Sequence, residues 1–520
     1  MALFSKRYPN LYKDSVSLMQ ISAVLGRTQG IGEVTVAMAT EANLARMREA
    51  GLALDMAPSP GDLVIALTAA DEAVAEAALA AADAALSPKG DDGSSDGMRP
   101  LPLKSIGMAV ERHPGSNLAL ISVPGRYAAA EARKALAAGL NVMMFSDNVA
   151  EPDEIDLKRL AEANDRLLMG PDCGTAIING MPLGFANVVR RGPVGVVAAS
   201  GTGLQEVTCA LHHLGTGISQ AIGTGGRDLH AGVDGRTMRQ AIRMLADDPE
   251  TSLIVLISKP PEPAVARKVL DAARTCGKPV VVHFLGETAG ATDHGVVRAH
   301  SLRHAAEVAG ALLAGETPPA PAALSPDLKT AAAAAARSLA PCQRWVRGVF
   351  AGGTFCYEAQ LILLASGNAC ESNAPAPGAT PLVELARGHG NSLVDMGDDA
   401  FTEGRPHPMI DPSLRDARLL AEAADPETAV LLFDVVLGHG ADADPGRGLL
   451  GIVEGARAAA RSEGRELAII AHVCGTELDP QPRAPLVAAL EAAGVLVASS
   501  NAEAANLAAH VVACIREEQQ

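Results

Sequence analysis

Short uninterrupted runs of Val, Ile, Leu and Ala alternate along this chain with stretches in which apolar residues recur every three or four positions. "EVTVAMAT", "DLVIALTA", "NLALISVPG", "NVMMFSD" and "RLLMGPDCGTA" read as strands. "DSVSLMQISAVL", "EAVAEAALAAADAAL" and residues 127–139 and 152–164 read as amphipathic helices. Residues 1–85 mix the two kinds. From about residue 105 onward the strand–helix rhythm is that of a parallel sheet. "SPKGDDGSSDGMRPLP", 87–102, is polar and rich in Gly, Ser and Pro, which predicts a mobile surface loop. A second strand–helix module starts at Pro193. The Pro-rich stretch "ETPPAPAALSPDLKTAAAAAARSLA", 316–340, leads into an Ala-rich helix and marks a domain boundary, after which a third module fills 341–520.

Modules two and three repeat one another. "VVAASGTGLQEVTCAL" and "GVFAGGTFCYEAQLIL" each run from an apolar strand into a small residue, then Gly-Thr, then Glu four positions on, so that Gly201, Thr202 and Glu206 pair with Gly353, Thr354 and Glu358 at a constant offset of 152. "DDPETSLIVLIS" and "ADPETAVLLFDV" continue the match at an offset of 177, and "GKPVVVHFLGE" and "GRELAIIAHVCGTE" at 187. The later copy therefore carries insertions, which hold "GDDAFTEGRPHPMIDPSLR" and "LGHGADADP". Long polar loops on a rigid repeated scaffold are where function tends to sit.

A strand that ends in a glycine turn and opens a helix presents backbone N–H groups and the positive end of the helix dipole. Without a Cβ an anion approaches the backbone, and a Ser or Thr hydroxyl adds a donor. Ser200, Gly201, Thr202, Gly352, Gly353 and Thr354 are thus candidates for binding phosphate, acyl phosphate or carboxylate, with Gly225, Gly226 and Arg227 of "AIGTGGRDLH" beside them. The competing reading is a tight strand-to-helix connection that binds nothing. In the insertion "GRPHPMIDPSLR", Arg405 and Arg415 are candidates for holding a substrate carboxylate, His407 for moving a proton near neutral pH and Asp411 for orienting it. The competing reading there is a proline-stiffened loop whose His and Asp brace the backbone or a subunit contact. No GxxxxGK[ST] loop occurs, and no GxGxxG directly follows a strand.

Composition narrows the partners. At 520 residues the chain is too long for one core, and 48% apolar with 20% charged residues is ordinary for a soluble globular protein. A net charge of −17 and only 2% aromatic residues argue against nucleic acid, while leaving small anions open. The eight cysteines are scattered without a CxxC pair, which predicts a reducing, cytoplasmic setting and no metal site. No secretory apolar core or membrane-length apolar run is read, so no membrane partner is expected.

The motifs "MGPDCGTA", "VGVVAASGTGLQE", "AIGTGGRDL" and "DDPETSLIVLISK" with "GKPVVV" resemble the α chain of succinyl-CoA synthetase, in the same order, across about residues 105–320. The third module resembles the C-terminal domain of that enzyme's β chain. "DSVSLMQIS", "NVMMFSDNV", "MGPDCGT", "GRPHPMIDP" and "GTELDPQ" are closer still to the FdrA family of acyl-CoA synthetase-like proteins, over nearly the whole chain. The resemblance implies an α/β, multidomain protein of succinyl-CoA synthetase-like Rossmann or flavodoxin-like parallel-sheet modules, the last two duplicated, with a small α+β N-terminal region. The expected domains are 1–190 (the α+β region and a CoA-binding-like domain), 191–318, a linker at 319–340, and 341–520. Members of the FdrA family encoded with allantoin-degradation genes are implicated as one subunit of an oxamate carbamoyltransferase, which takes oxalurate and phosphate to oxamate and carbamoyl phosphate.

The chain departs from the synthetase pattern in several places. The Gly-His-Ala-Gly-Ala loop that carries the phosphohistidine reads "HFLGETAGATDHGVVRA", with His294 near that position but outside the motif, so His294 is expected to be a surface loop residue. The segment of the bracing glutamate is replaced by "SKPPEP", Ser258–Pro263. Neither the glycine-rich CoA turn nor an ATP-grasp domain has a counterpart. Three functions follow. The first is a carbamoyltransferase subunit that handles carbamoyl phosphate or phosphate, without a phosphohistidine, together with neighbour-encoded protein subunits. The second is an NDP-forming acyl-CoA synthetase subunit, which alone would require CoA and ATP with Mg. The third is a non-catalytic anion-binding scaffold.

Overall fold

The structure, a computed structural model, describes residues 1–13, 15–54, 56–86, 103–287, 295–402 and 405–518. The polar stretch 87–102 and His294 lie outside the described residues. The chain divides into two compact units. The first is Met1–His113 with Thr402–Asp411, and the second is Pro114–Phe401 with Pro412–Gln520.

In the first unit, β1 (Ala2–Tyr8), β2 (Ile31–Met38) and β3 (Leu63–Ala69) form an antiparallel sheet in the order β1-β3-β2. Strand β3 reads as a continuous apolar run because it is central and covered on both faces. Leu63, Ile65 and Leu67 pack with Leu18, Leu25, Ala75 and Ala78 from the helices Ser15–Gly26 and Glu72–Leu86. Val64 and Ala66 point the other way, against Met47 of helix Glu41–Glu49 and Leu52.

The second unit holds three sheets. A small parallel one, β4 (Leu118–Ile121), β5 (Asn141–Met144) and β6 (Leu168–Met169), pairs in sequence order. The next is seven-stranded: β7 (Thr175–Ile178), β8 (Met181–Gly184), β9 (Arg191–Ala199), β10 (Ile218–Gly223), β11 (Leu253–Ser258), β12 (Val280–Phe284) and β13 (Val296–Arg298), in the order β13-β12-β11-β9-β10-β7-β8. The last comprises β14 (Trp345–Phe350), β15 (Cys370–Ser372), β16 (Thr380–Pro381), β17 (Asn391–Asp395), β18 (Thr428–Val436), β19 (Ala468–Cys474) and β20 (Leu496–Ala498), in the order β16-β15-β17-β14-β18-β19-β20.

The sequence repeat is a repeat of topology. Strands β13-β12-β11-β9-β10 of one sheet correspond one for one to β20-β19-β18-β14-β17 of the other. In each copy the strand ahead of the Gly-Thr turn is central, flanked by parallel neighbours. The 316–340 stretch is only partly a connector, since its Ala-rich half is the helix Pro326–Arg337, with Ala332 and Ala336 buried, and packs against the final helix Asn501–Glu518. The insertion "LGHGADADP" is held by the chain after β8: the His439 N–H donates to the Ala186 carbonyl, and Asn187 Nδ2 donates to the Leu437 carbonyl and to Asp479.

Candidate functional site

Both Gly-Thr turns stand at the carboxyl ends of central parallel strands, where open α/β sheets bind ligands. Ser200 follows β9 and opens helix Gly201–His213; Gly352 follows β14 and opens helix Gly353–Ala365. The two helices pack on one another inside the second unit. Their turns meet head on, with Ser200 Oγ 2.7 Å from Thr354 Oγ1, both buried. Gly352 leaves room for this approach, because a Cβ there would lie 2.9 Å from Thr202 Cγ2. Ser200, Thr202 and Thr354 therefore come together, as a shared site requires.

The amides of the two turns are served differently. In the first, the Ser200 hydroxyl caps the helix by accepting from Gly203 N at 3.0 Å. In the second, Gly352 has no capping side chain, and Asp434 of β18 reaches across to accept from Ala351 N (2.6 Å) and Gly352 N (2.8 Å). The residue at the equivalent register of β11 is Ile257, which lies under Gly203 and carries no charge. Asp395, at the end of β17, sits so close to Gly353 that a Cβ there would be 2.4 Å from its Oδ2. The second turn thus carries protein carboxylates where the first has none. The Gly352 N–H, a candidate donor to a ligand anion, is committed to Asp434.

Charges of both signs gather near the second turn. Burial, opposed by Lys259, holds Asp395 at about 6. Asp172 reaches solvent but is walled in on most sides; that enclosure and the charges of Asp147 and Asp399 push it to about 6, against the pull of Lys259 and Arg227. Lys259 directly follows β11, whose Ser258 pairs with Ala199 beside the first turn, and its ammonium stands 5.8 Å from the centre of the Tyr357 ring. The apolar-run logic of the sequence did not single out Lys259, Asp395 or Asp434. The available signal was a lone Asp interrupting the buried strand "AVLLFDVV".

Behind the turns, the glutamates of the repeat converge. Glu206 Oε2 is 2.7 Å from His472 Nε2, and its Oε1 accepts from the Asn501 N–H. Glu358 accepts from Leu302 N and from Asn501 Nδ2. Burial opposes the Glu206 charge, yet the attraction and hydrogen bond of His472 outweigh it and leave the carboxyl below its usual range. Burial works against the imidazolium too, but Glu206 raises His472 to about 10. Glu358 is raised by burial to about 7. His472 has a register twin in His283 of β12: each presents Nδ1 to a carbonyl of the next strand, Ala498 and Ala299. Among the described residues no carboxylate pairs with His283, and burial lowers it to about 4.

The remaining candidates have partners of their own. Gly225 holds a left-handed φ of +86° and its would-be Cβ lies 2.3 Å from the Pro171 carbonyl, so it is glycine for the close approach of two loops. Gly226 lies near Asp172. Arg227 is paired with Glu154 (2.9 Å) and the Val149 carbonyl (2.7 Å), while Asp228 is buried on Lys158 and caps helix Arg236–Asp247. Arg415 is not placed to receive a substrate carboxylate: it is buried, bonded to Asp416 and to the carbonyl of Asp434, and steadies the strand that carries Asp434. Arg405, His407 and Asp411 belong to the first unit, not to the unit of the turns. There His407 Nδ1 accepts from Met409 N, the His407 carbonyl accepts from Ile410 N and Asp411 N, and burial lowers the ring to about 4. That value keeps His407 neutral near pH 7, which corrects the expectation of a group titrating there.

Comparison with known proteins agrees with this layout. Residues 189–286 match the CoA binding domain family, 349–511 the CoA-ligase family, and 1–100 the family described as "AllF, heavy metal-associated domain". Residues 1–100 contain neither cysteine nor histidine, so that stretch offers a heavy metal no thiolate or imidazole ligand. The chain is 44% identical over 519 residues to the uncharacterized protein YahF of Escherichia coli, covering 98% of each chain. It is 32% identical over 197 residues to succinate–CoA ligase [ADP-forming] subunit alpha-2 of Trichomonas vaginalis, covering 36% of this chain and 62% of that one. It is 31% identical over 223 residues to succinate–CoA ligase [ADP-forming] subunit alpha 2 of Archaeoglobus fulgidus, covering 40% and 75%. Among the described residues no helix is long and apolar enough to cross a membrane.

Proposed function

The chain belongs to the family of the Escherichia coli YahF protein, and we propose that it is the acyl-phosphate-handling subunit of an FdrA-type carbamoyltransferase acting on oxamate and carbamoyl phosphate in allantoin breakdown. The AllF description of residues 1–100 supports the pathway. The observation that carries the chemistry is the asymmetry of the two turns. The first turn, Gly201–Thr202, offers helix amides to one small anion, while the second brings carboxylates to the same place, with the Lys259 ammonium near them. In this reading the phosphoryl end of carbamoyl phosphate, an acyl phosphate, rests on the first turn. Asp395, at about 6, is matched to accept a proton near neutral pH.

In this reading the amide nitrogen of oxamate attacks the carbamoyl carbon, the C–O bond to phosphate breaks, and the amide proton passes to Asp395. Phosphate leaves with its charge held by the first turn and Lys259. Partner subunits encoded nearby supply the acceptor side. An acyl-CoA synthetase-like role is the second reading, favoured by the CoA binding and CoA-ligase matches. The test is turnover by the chain purified with its neighbour-encoded partners. Oxalurate and phosphate should give carbamoyl phosphate without ATP or CoA. Turnover only with CoA, ATP and a short carboxylic acid would move the assignment to the second reading.

A further inference from the structure

Beneath the first turn, two elements present metal-binding donors to one another. Glu206 and Cys209 are three residues apart on helix Gly201–His213, hence on one face. His472 and Cys474 are two apart on β19, hence on one side of the strand. Glu206, His472 and Cys474 are buried, with donor atoms all within 4.8 Å of one another, and they are the one such grouping of three among the described residues. Cys209 is buried beside this grouping, its thiol next to that of Cys474.

We propose that Glu206, Cys209, His472 and Cys474 form a structural zinc site that clamps the first Gly-Thr helix to the second module. The outer contacts already orient the ligands as zinc sites require. His472 Nδ1 donates to the Ala498 carbonyl, which turns Nε2 inward, where zinc would take the place of the proton that Nε2 shares with Glu206. The Glu206 Oε1 accepts from the Asn501 N–H, which leaves Oε2 inward. Two thiols, an imidazole and a carboxylate are a borderline-soft set suited to tetrahedral zinc and ill suited to magnesium or calcium. Zinc with ligands at about 2.0–2.3 Å separates neighbouring donors by roughly 3.5 Å. The 2.7 Å contact between Glu206 and His472 therefore opens by less than about an ångström, and the sulfur draws in. The four residues are closed off from solvent, so the ion enters as the chain folds. The sequence hid this site because its cysteines lie in different copies of the repeat.

The full chain is produced in zinc-limited medium supplemented with cobalt(II), which reports its own coordination. The expected result is one ion per chain, visible ligand-field bands of tetrahedral cobalt and a thiolate-to-cobalt charge-transfer band. Cys209→Ser and Cys474→Ser should each weaken that band and the double variant remove it, whereas Cys342→Ser, at an exposed position, leaves it unchanged. X-ray absorption on the zinc-loaded wild type gives a shell of two sulfurs, one nitrogen and one oxygen, a readout that does not depend on the variants folding. Folded wild type that carries no metal from zinc-replete cultures, a sulfur-free shell, or a charge-transfer band that survives the double variant overturns the proposal.

Discussion

The two Gly-Thr turns descend from one unit, close on each other through a single hydroxyl pair, and satisfy their helix ends in opposite ways. The first is capped from within by Ser200 above an apolar Ile257. The second is capped from outside by the Asp434 carboxylate, with Asp395 beside it. An apolar neighbour leaves a helix end open to an external anion; a buried carboxylate fills it. The repeat holds two Gly-Thr turns, and one aspartate in a strand filled the amides of the second with a carboxylate. The buried histidines show the same divergence. His472 found a carboxylate across the interface, and its twin His283 did not.

Remaking the second turn in the image of the first is the harshest test. Asp434→Ile places the equivalent residue of β11 in β18 and strips the acceptor from the Ala351 and Gly352 amides. Two buried donors left unpaired should cost about 3 kcal/mol or more. Urea unfolding measures it, and a loss under 1 kcal/mol would mean that the carboxylate is not what holds that turn.

Glycine scanning separates the turns by a smaller step. Gly353→Ala drives a methyl to 2.4 Å from Asp395 Oδ2 and should cost about 1–3 kcal/mol. Gly201→Ala meets nothing closer than 3.6 Å and should leave the melting temperature unchanged. On the present assignment the larger Gly201→Val abolishes thermal protection by phosphate or carbamoyl phosphate. Protection that survives Gly201→Val takes the anion off the first turn.

The carboxylates of the second turn also give a pH signature. Asp395 is raised by burial from 3.8 to about 6, so the folded state holds its proton more tightly than the unfolded state does. Its contribution is present in full below about pH 4 and is lost as pH rises through about 6. Relative to Asp395→Asn, the wild type should lose stability between those values, by a few kcal/mol at most. Parallel curves for the two proteins across that window would show that Asp395 does not titrate there.

Much of the fold is legible because burial writes itself as periodicity. The strand runs, the Pro-rich boundary and the repeat offsets anticipate two sheets of the same order, down to their central strands. The turns were legible for the same reason: glycine is demanded where Gly352 meets Thr202 and Gly353 meets Asp395. What pairs across the interface was not. Glu206 and Glu358 were visible as repeated letters, but their convergence on Asn501 spans hundreds of residues, and no local pattern encodes it. Arg415 misled because an arginine in a polar loop looks available until its acid, Asp416, is placed beside it.

The smallest effect concerns the hydroxyl pair that joins the turns. Ser200 Oγ does two things: it accepts from Gly203 N at 3.0 Å and bonds Thr354 Oγ1 at 2.7 Å. Thr354 is given only the second role. Thr354→Val keeps the branched shape, removes the cross-turn bond and leaves the cap, so its cost should be about 1 kcal/mol. Ser200→Ala removes both bonds and should cost about 1–2 kcal/mol. In the double variant the cross-turn bond can be lost only once, so the two costs should sum to more than the measured total by the energy of that bond. A coupling near zero would show that the turns touch without holding each other, and that the grip between the modules lies deeper, at Glu206, Asn501 and His472.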